Sequence, residues 1–94
     1  MRITAQIRHL TSKAIQELYQ ASIDEHAVLV NETKPEFEGD YTVVLFAFVK
    51  QLKQSPEALG DALGKQMVAN SPNLFKSYNV IKGFLNLVVD DAYS

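Results

Sequence analysis

Apolar residues near the N-terminus recur every three or four positions, with mostly polar residues between them; they are Ile3, Ile7, Leu10, Ala14 and Leu18. This spacing is typical of an amphipathic α-helix, because 3.6 residues per turn bring such positions onto one face. The pattern predicts a helix that ends near Ala21. A short apolar run at residues 27–30, rich in β-branched side chains and bounded by polar residues, then predicts a strand.

Residues 31–39 are predicted to form a loop whose shape depends on Pro35 and Gly39. Pro35 holds the residue before it in an extended conformation, and Gly39 can adopt backbone angles that are closed to other residues. Asp40 follows in the position of a helix N-cap, where a carboxylate accepts hydrogen bonds from the first turn. Residues 41–52 carry apolar side chains at helical spacing, so we predict a helix; their β-branched and aromatic composition also fits a buried strand.

A second helix start follows directly, with Ser55 as N-cap, Pro56 at the first helical position and Glu57 in the first turn. Gly60 and Gly64 lie one turn apart in this predicted helix, and each costs roughly 1 kcal/mol relative to alanine. The pair indicates either close packing against a neighbouring element or a weak helix. The Asn-Ser-Pro-Asn stretch at residues 70–73 ends the helix.

Two strands are predicted at the C-terminal end of the chain, at residues 74–81 and 84–89. Lys82 and Gly83 join them in a tight turn, for which the glycine supplies an unusual φ angle. The order helix, strand, helix, helix, strand, strand predicts an α+β fold, a two-layer domain with helices packed on one face of a small antiparallel sheet. With 94 residues, 47% of them apolar, we assign residues 1–94 to one domain with one core.

The composition of the chain indicates the cellular compartment in which we expect the protein. The chain has no cysteine, which excludes disulfides and thiolate metal sites and is compatible with the cytoplasm, where we place the protein. The N-terminus alternates apolar and polar residues and has no secretory apolar core. The longest apolar run, seven residues from Val43, is far shorter than the roughly 20 residues that cross a bilayer. We therefore expect neither export nor membrane insertion.

Charge limits how the chain can meet nucleic acid. The formal net charge is -2, so any contact with phosphate must be local, because phosphate affinity depends on lysine and arginine. Residues 17–40 contain seven acidic residues against Lys34 alone, whereas residues 41–82 contain five lysines against Glu57 and Asp61. The first segment is expected to face away from phosphate. Solvated helix surfaces are the alternative explanation for both segments.

Catalytic patterns are missing from the sequence. His9 and His26 lack the spacing that sets two imidazoles on one helix face, no serine lies in a nucleophile elbow, and no glycine-rich phosphate loop is present. Glu36, Glu38 and Asp40 alternate along the predicted loop. Such a trio either supplies oxygen ligands for a divalent cation or serves as a helix cap and solvated charge; without a calcium-loop pattern we favour the second interpretation. We predict a chain without a catalytic or metal site.

The last predicted strand offers a candidate binding surface. Phe84 and Asn86 alternate along it and so share one face, while Leu85 and Leu87 share the other. An aromatic ring can stack on an unstacked RNA base, and a carboxamide can recognise a base edge with one donor and one acceptor. The structural alternative is that Phe84 lies in the core and Asn86 is a polar residue at the sheet edge.

Two motifs resemble those of the N-terminal additional domain of arginyl-tRNA synthetases. They are Pro35-Glu36-Phe37-Glu38-Gly39-Asp40-Tyr41 and Gly83-Phe84-Leu85-Asn86, with two helices between them separated by a short proline-containing break. The resemblance implies that Phe84 and Asn86 meet the D-loop of the tRNA for arginine and that Lys82 pairs with a nearby phosphate beside Gly83. It further implies that Phe37, Gly39, Asp40 and Tyr41 shape the preceding loop.

The resemblance also implies a parent enzyme, an arginine–tRNA ligase whose catalytic domain uses ATP with Mg²⁺. The catalytic and anticodon-binding motifs of that family are absent from these residues, so we expect a fragment, monomeric and without a bound cofactor, whose partners are tRNA and the catalytic domain. The chain departs from the family in two places: Glu38 is inserted before Gly39, and Ile81-Lys82-Gly83 replaces a common Gly-Pro-Gly. A protein interaction module that docks through the Phe84 face is the alternative function.

Overall fold

The computed structural model describes residues 1–93 and confirms the α+β two-layer architecture. Helix α1 spans Ile3–Tyr19, strand β1 Leu29–Glu32, strand β2 Tyr41–Val44, the short helix α2 Val49–Leu52, helix α3 Pro56–Asn70, strand β3 Phe75–Ile81 and strand β4 Phe84–Val89. The four strands form one antiparallel sheet in the order β1-β2-β4-β3. Strands β2 and β4 are therefore central.

The helix predicted for residues 41–52 is wrong in its first part. Tyr41–Val44 forms β2, which pairs with β1 on one side and with β4 on the other, and only Val49–Leu52 is helical. Asp40 is accordingly not a helix N-cap, because its Oδ2 accepts a hydrogen bond from the backbone N–H of Val89 across the sheet at 2.9 Å. In a run as short as this one, the spacing of apolar residues fits a helix and a strand alike. Pairing with the two neighbouring strands stabilised the strand.

The first predicted strand is displaced. A single 3₁₀ turn occupies Glu25–Ala27, and the strand begins only at Leu29. With β2 added, the sheet has four strands where the sequence predicted three. Helix α1 ends at Tyr19, two residues before the predicted end, where Gln20 takes a left-handed conformation with φ 53°.

The second helix start and the C-terminal hairpin are confirmed. Ser55 Oγ accepts a hydrogen bond from the backbone N–H of Ala58 at 3.1 Å, and Pro56 is the first residue of α3. The turn between β3 and β4 places Lys82 at φ 50° and Gly83 at φ 80°. Two consecutive left-handed residues are the geometry of a tight hairpin turn whose twist matches that of the strands.

The core lies between the helices and one face of the sheet, and α3 approaches that face closely. A Cβ atom built on Gly60 would lie 2.7 Å from Cγ1 of Val80, and one on Gly64 would overlap the ring of Tyr78. Close packing is thus the reason for both glycines. Val43, Leu85 and Leu87 of the central strands are fully buried in this core. In the described part of the chain, every helix is too short or too polar to cross a membrane.

Candidate nucleic-acid interface

Among residues 1–93, helices α1 and α3 pack on the face of the sheet that holds the core. We call the opposite face the open face. Pairing registers place two rows of side chains across this face. The apolar row, toward the β3–β4 turn, consists of Leu29, Val44, Phe84 and Ile81; the polar row, toward the loop at residues 33–40, consists of Asn31, Thr42, Asn86 and Asn79. Phe84 and Asn86 do share one face, and Leu85 and Leu87 point into the core from the other.

Phe84 lies on the open face, half-buried, and not in the core between helices and sheet. Its ring packs edge-on against Phe46, with the centroids 5.6 Å apart and the ring planes at 87°. Phe46 is 51% exposed in the segment between β2 and α2, although the sequence analysis placed it inside a helix. An aromatic residue two positions after a β-branched strand was the signal that could have found it. The two rings form an exposed aromatic pair.

Asn86 is only 1% exposed, and its carboxamide is hydrogen-bonded inside the protein. Thr42 Oγ1 donates to Asn86 Oδ1 at 2.6 Å, and Asn86 Nδ2 donates to Asn79 Oδ1 at 3.0 Å. Asn79 Nδ2 in turn donates to the backbone carbonyl of Glu38 at 2.7 Å. Because Thr42 gives its one proton to Asn86, Thr33 Oγ1 is the donor in its 2.9 Å bond to Thr42 Oγ1. Three members of the polar row, Thr42, Asn86 and Asn79, thus lie in one chain of hydrogen bonds that runs from Thr33 to the backbone carbonyl of Glu38.

The loop at residues 33–40 lies over the end of the polar row and covers Asn86. Gly39 has φ 143°, and a Cβ atom built on it would lie 3.0 Å from Asn86 Cβ and 3.0 Å from Thr33 Oγ1. Only glycine combines this backbone angle with this close approach. Asp40 fastens the end of the loop to β4, since its N–H donates to the Leu87 carbonyl at 2.8 Å. Gly39 and Asp40 therefore shape the loop through contacts with β4.

A cleft on the open face brings the two sequence motifs together. It is lined by Phe37 and Lys34 of the loop, by Asn31 of β1, and by Phe84 and Ile81 of the hairpin, with further residues of the central strands. Its volume is about 110 Å³; for comparison, a protein cavity of roughly 150 Å³ holds one benzene ring. Tyr41, the first residue of β2, lies on the opposite side of that strand from Thr42.

The acidic residues of the loop do not assemble a metal site. Among residues 1–93, no three histidine, aspartate or glutamate side chains converge in a way that could hold a metal ion. Asp40 bonds to the Val89 amide, and Glu36 and Glu38 are exposed. Lys82, which precedes Gly83 in the hairpin turn, is also exposed, at the opposite end of the open face. The loop end of the open face thus carries Lys34 beside the acids Glu36 and Glu38, and the turn end carries Lys82.

Comparison with known proteins supports the family resemblance that the two sequence motifs indicated. Residues 5–89 match the family described as the arginyl tRNA synthetase N terminal domain. An arginine–tRNA ligase of Parabacteroides distasonis is 40% identical over 89 residues, which are 95% of this chain and 15% of that protein. An arginine–tRNA ligase of Amoebophilus asiaticus is 37% identical over 92 residues, 98% of this chain and again 15% of the relative.

The fold has a counterpart among solved structures. Arginyl-tRNA synthetase of Thermus thermophilus superposes with a TM-score of 0.76 at 22% identity, over 94% of this chain and 14% of that one. The chain thus spans about one seventh of the length of the proteins that it matches. The family match over residues 5–89, together with a relative at 40% identity across 95% of the chain, shows that this chain belongs to the arginyl-tRNA synthetase N-terminal domain family.

Proposed function

We propose that this chain is the tRNA-binding module of an arginine–tRNA ligase and that its open face docks the D-loop at the elbow of the tRNA for arginine. The observation that carries the proposal is the position of Phe84, on a central strand, on the open face, beside a cleft of about 110 Å³. Family membership supports the ligase as the parent enzyme. In such an enzyme the catalytic domain binds ATP, Mg²⁺ and arginine, and this module contributes to binding the tRNA.

In this proposal an unstacked D-loop base stacks on Phe84 at the mouth of the cleft, while Phe46 packs against the Phe84 ring. Stacking of a base on an aromatic side chain contributes on the order of 1–3 kcal/mol. Lys82 meets a phosphate of the same strand from the hairpin turn. Asn86 recognises a base edge only if the loop at residues 33–40 moves, because its amide is buried beneath Gly39. In this structure Asn86 accepts the hydrogen bond of Thr42, which lines the cleft, and so holds that side chain in place.

The module is expected to bind weakly by itself and to act as a monomer in the cytoplasm. Few cations surround the cleft, and phosphate neutralisation dominates affinity for nucleic acid. The test is a titration of labelled tRNA for arginine, with an unrelated tRNA alongside, into the 94-residue chain and into Phe84→Ala. Gln16→Ala, exposed on α1, is the matched control. Binding that prefers the tRNA for arginine and is lost only in Phe84→Ala supports the proposal, and equal binding by all three chains refutes it.

A protein interaction module is the second candidate, because the apolar row is not fully covered. Leu29 is 54% exposed and Phe46 51%, both at or beside the open face. Contiguous exposed apolar surface often marks a docking site for protein. In this case a second copy of the chain or a neighbouring domain covers Phe84. Light scattering distinguishes the two functions: a dimer that Phe84→Asp dissociates, with no preference for any tRNA, favours the interaction module.

A further inference from the structure

Asn31 presents a free carboxamide on the open face. Its side chain is exposed, lies in the polar row opposite Thr42, and borders the same cleft as Phe84. Within residues 1–93 this side chain makes no hydrogen bond. The amide of Asn86, in contrast, is 1% exposed and already donates and accepts hydrogen bonds inside the protein. A ligand therefore meets an unoccupied donor and an unoccupied acceptor at Asn31 without any movement of the loop at residues 33–40.

The other polar residues that line the cleft are less suited to recognise the edge of a base. The hydroxyl of Thr42 gives its proton to Asn86, so its donor is in use. Glu32 can only accept hydrogen bonds and Lys34 can only donate them. A base edge, however, has donors and acceptors side by side. Among the described residues of the cleft lining, Asn31 alone offers both kinds of group, free and in one plane.

Charge and spacing favour a base over a phosphate beside Asn31. The cleft lining has one acid and one base, Glu32 and Lys34, and the adjoining loop adds further exposed acids. Phosphate is therefore disfavoured at this end of the face. Strand β1 lies two strands from β4, and the row of Asn31 is next to that of Phe84, which separates their Cα atoms by roughly 12 Å at ordinary strand spacing. A base stacked on Phe84 and the side chain of Asn31 together span such a distance.

We propose that Asn31 determines which base the open face accepts, while Phe84 supplies the stacking surface. This inference rests on the proposed function and divides its work: the aromatic ring contributes affinity for any base, and the carboxamide on the edge strand distinguishes one base from another. The ligand chemistry is the donor–acceptor edge of one unstacked base, to which Asn31 Nδ2 donates and from which Oδ1 accepts. The sequence motifs indicated Asn86 for this role, and Asn31 lies outside both motifs.

The experiment measures discrimination between bases by the 94-residue chain. The probes are tRNA for arginine and transcripts of it in which each unstacked D-loop base is exchanged in turn. For the parent chain, exchange of the recognised base should weaken binding by roughly 5- to 150-fold, the range for one paired donor and acceptor. In Asn31→Ala this ratio should fall toward one, whereas Phe84→Ala should weaken the binding of every transcript alike. Asn73→Ala, which removes an exposed asparagine from the turn before β3, is the matched control.

Asn31→Asp separates recognition from packing, because the carboxylate keeps the shape of the amide and loses its donor. The order of preference among the transcripts should change, while the melting temperature stays close to that of the parent, as for most exposed substitutions.

The inference is overturned if Asn31→Ala keeps the parent's ratio between transcripts, or if Asn73→Ala lowers that ratio equally. It is also overturned if the ratio falls only in Asn86→Ala and that variant melts like the parent, because Asn86 then recognises the base. If the parent prefers tRNA for arginine and depends on Phe84 but tolerates every exchanged base, the proposed function stands and the inference fails. If the parent chain binds no tRNA at all, both fail.

Discussion

Replacing Asn86 with alanine removes the central member of the polar row. The substitution deletes the bonds from Thr42 at 2.6 Å and to Asn79 at 3.0 Å, and it leaves the Thr42 hydroxyl buried without its acceptor. Each hydrogen bond contributes about 0.5–1.5 kcal/mol, and a stranded buried polar group costs about 1–3 kcal/mol. Because these terms overlap, the free energy of unfolding should fall by about 2–4 kcal/mol.

The assay is unfolding in urea, monitored by circular dichroism, of four chains: the parent, Asn86→Ala, Thr42→Val and the double variant. Equal m-values will show that the transitions expose the same surface. The double variant should lose less than the sum of the single losses by about 1 kcal/mol, because the two residues are bonded to each other. Asn31→Ala is the matched control, since Asn31 lies in the same row on the edge strand and is exposed; its cost should stay within about 0.5 kcal/mol.

The outcome also tests the proposed contact of Asn86 with tRNA. If Asn86→Ala costs no more than Asn31→Ala and still weakens tRNA binding, the amide is not committed to the internal network, and the reasoning from its burial is refuted. If the free energy of unfolding falls as expected, weaker tRNA binding by Asn86→Ala has two explanations: the loop at residues 33–40 is displaced, or a contact with a base is lost. Phe84→Ala is then the cleaner probe of recognition, because Phe84 lies at the surface of the open face.

Three further predictions concern packing, pH and the parent enzyme. Gly64→Ala should lower the free energy of unfolding by about 1–3 kcal/mol in thermal melts, because the new methyl group overlaps the Tyr78 ring; a gain from helix propensity would contradict this. The hydrogen bond to Asp61 raises the pKa of Tyr78 above its usual 10. The stabilisation that this bond gives the folded state is therefore present below pH 10 and is lost as pH rises through the raised pKa. Unfolding curves at alkaline pH should show this loss in the parent chain and not in Tyr78→Phe. In a whole ligase, Phe84→Ala should reduce kcat/KM for tRNA and spare arginine activation measured by pyrophosphate exchange; equal damage to both steps would exclude a role confined to tRNA.

Local chemistry was sufficient to predict α3 and the hairpin. Ser55 and Pro56 specify a helix start through a side-chain cap and a fixed φ, and both act within one turn of the chain. Gly83 marks the hairpin because the turn itself requires positive φ. The alternation of Phe84 with Leu85 likewise assigned their opposite faces, since side chains alternate along any strand.

Pairing across the sheet decided the structure of residues 40–44. Asp40 has the chemistry of an N-cap, but its carboxylate accepts a hydrogen bond from the N–H group of Val89, 49 residues away in the chain. Tyr41–Val44 has two antiparallel neighbours, and a run of four residues satisfies helical and strand periodicity alike until those neighbours are known. The β-branched and aromatic side chains of these residues favour a strand, but pairing with β1 and β4 decided between the two structures.

The candidate site, too, was determined partly by the sequence and partly by the tertiary structure. Sequence motifs were enough to nominate Phe84 and Asn86 as one face of a strand, because that relation depends only on the geometry of a single strand. Their different surroundings depend on residues distant in sequence: Gly39 covers Asn86, and Phe46 contacts Phe84 while staying exposed. Burial and exposure arise from how loops and strands pack together in space, so the chemistry available at each side chain was decided by tertiary structure.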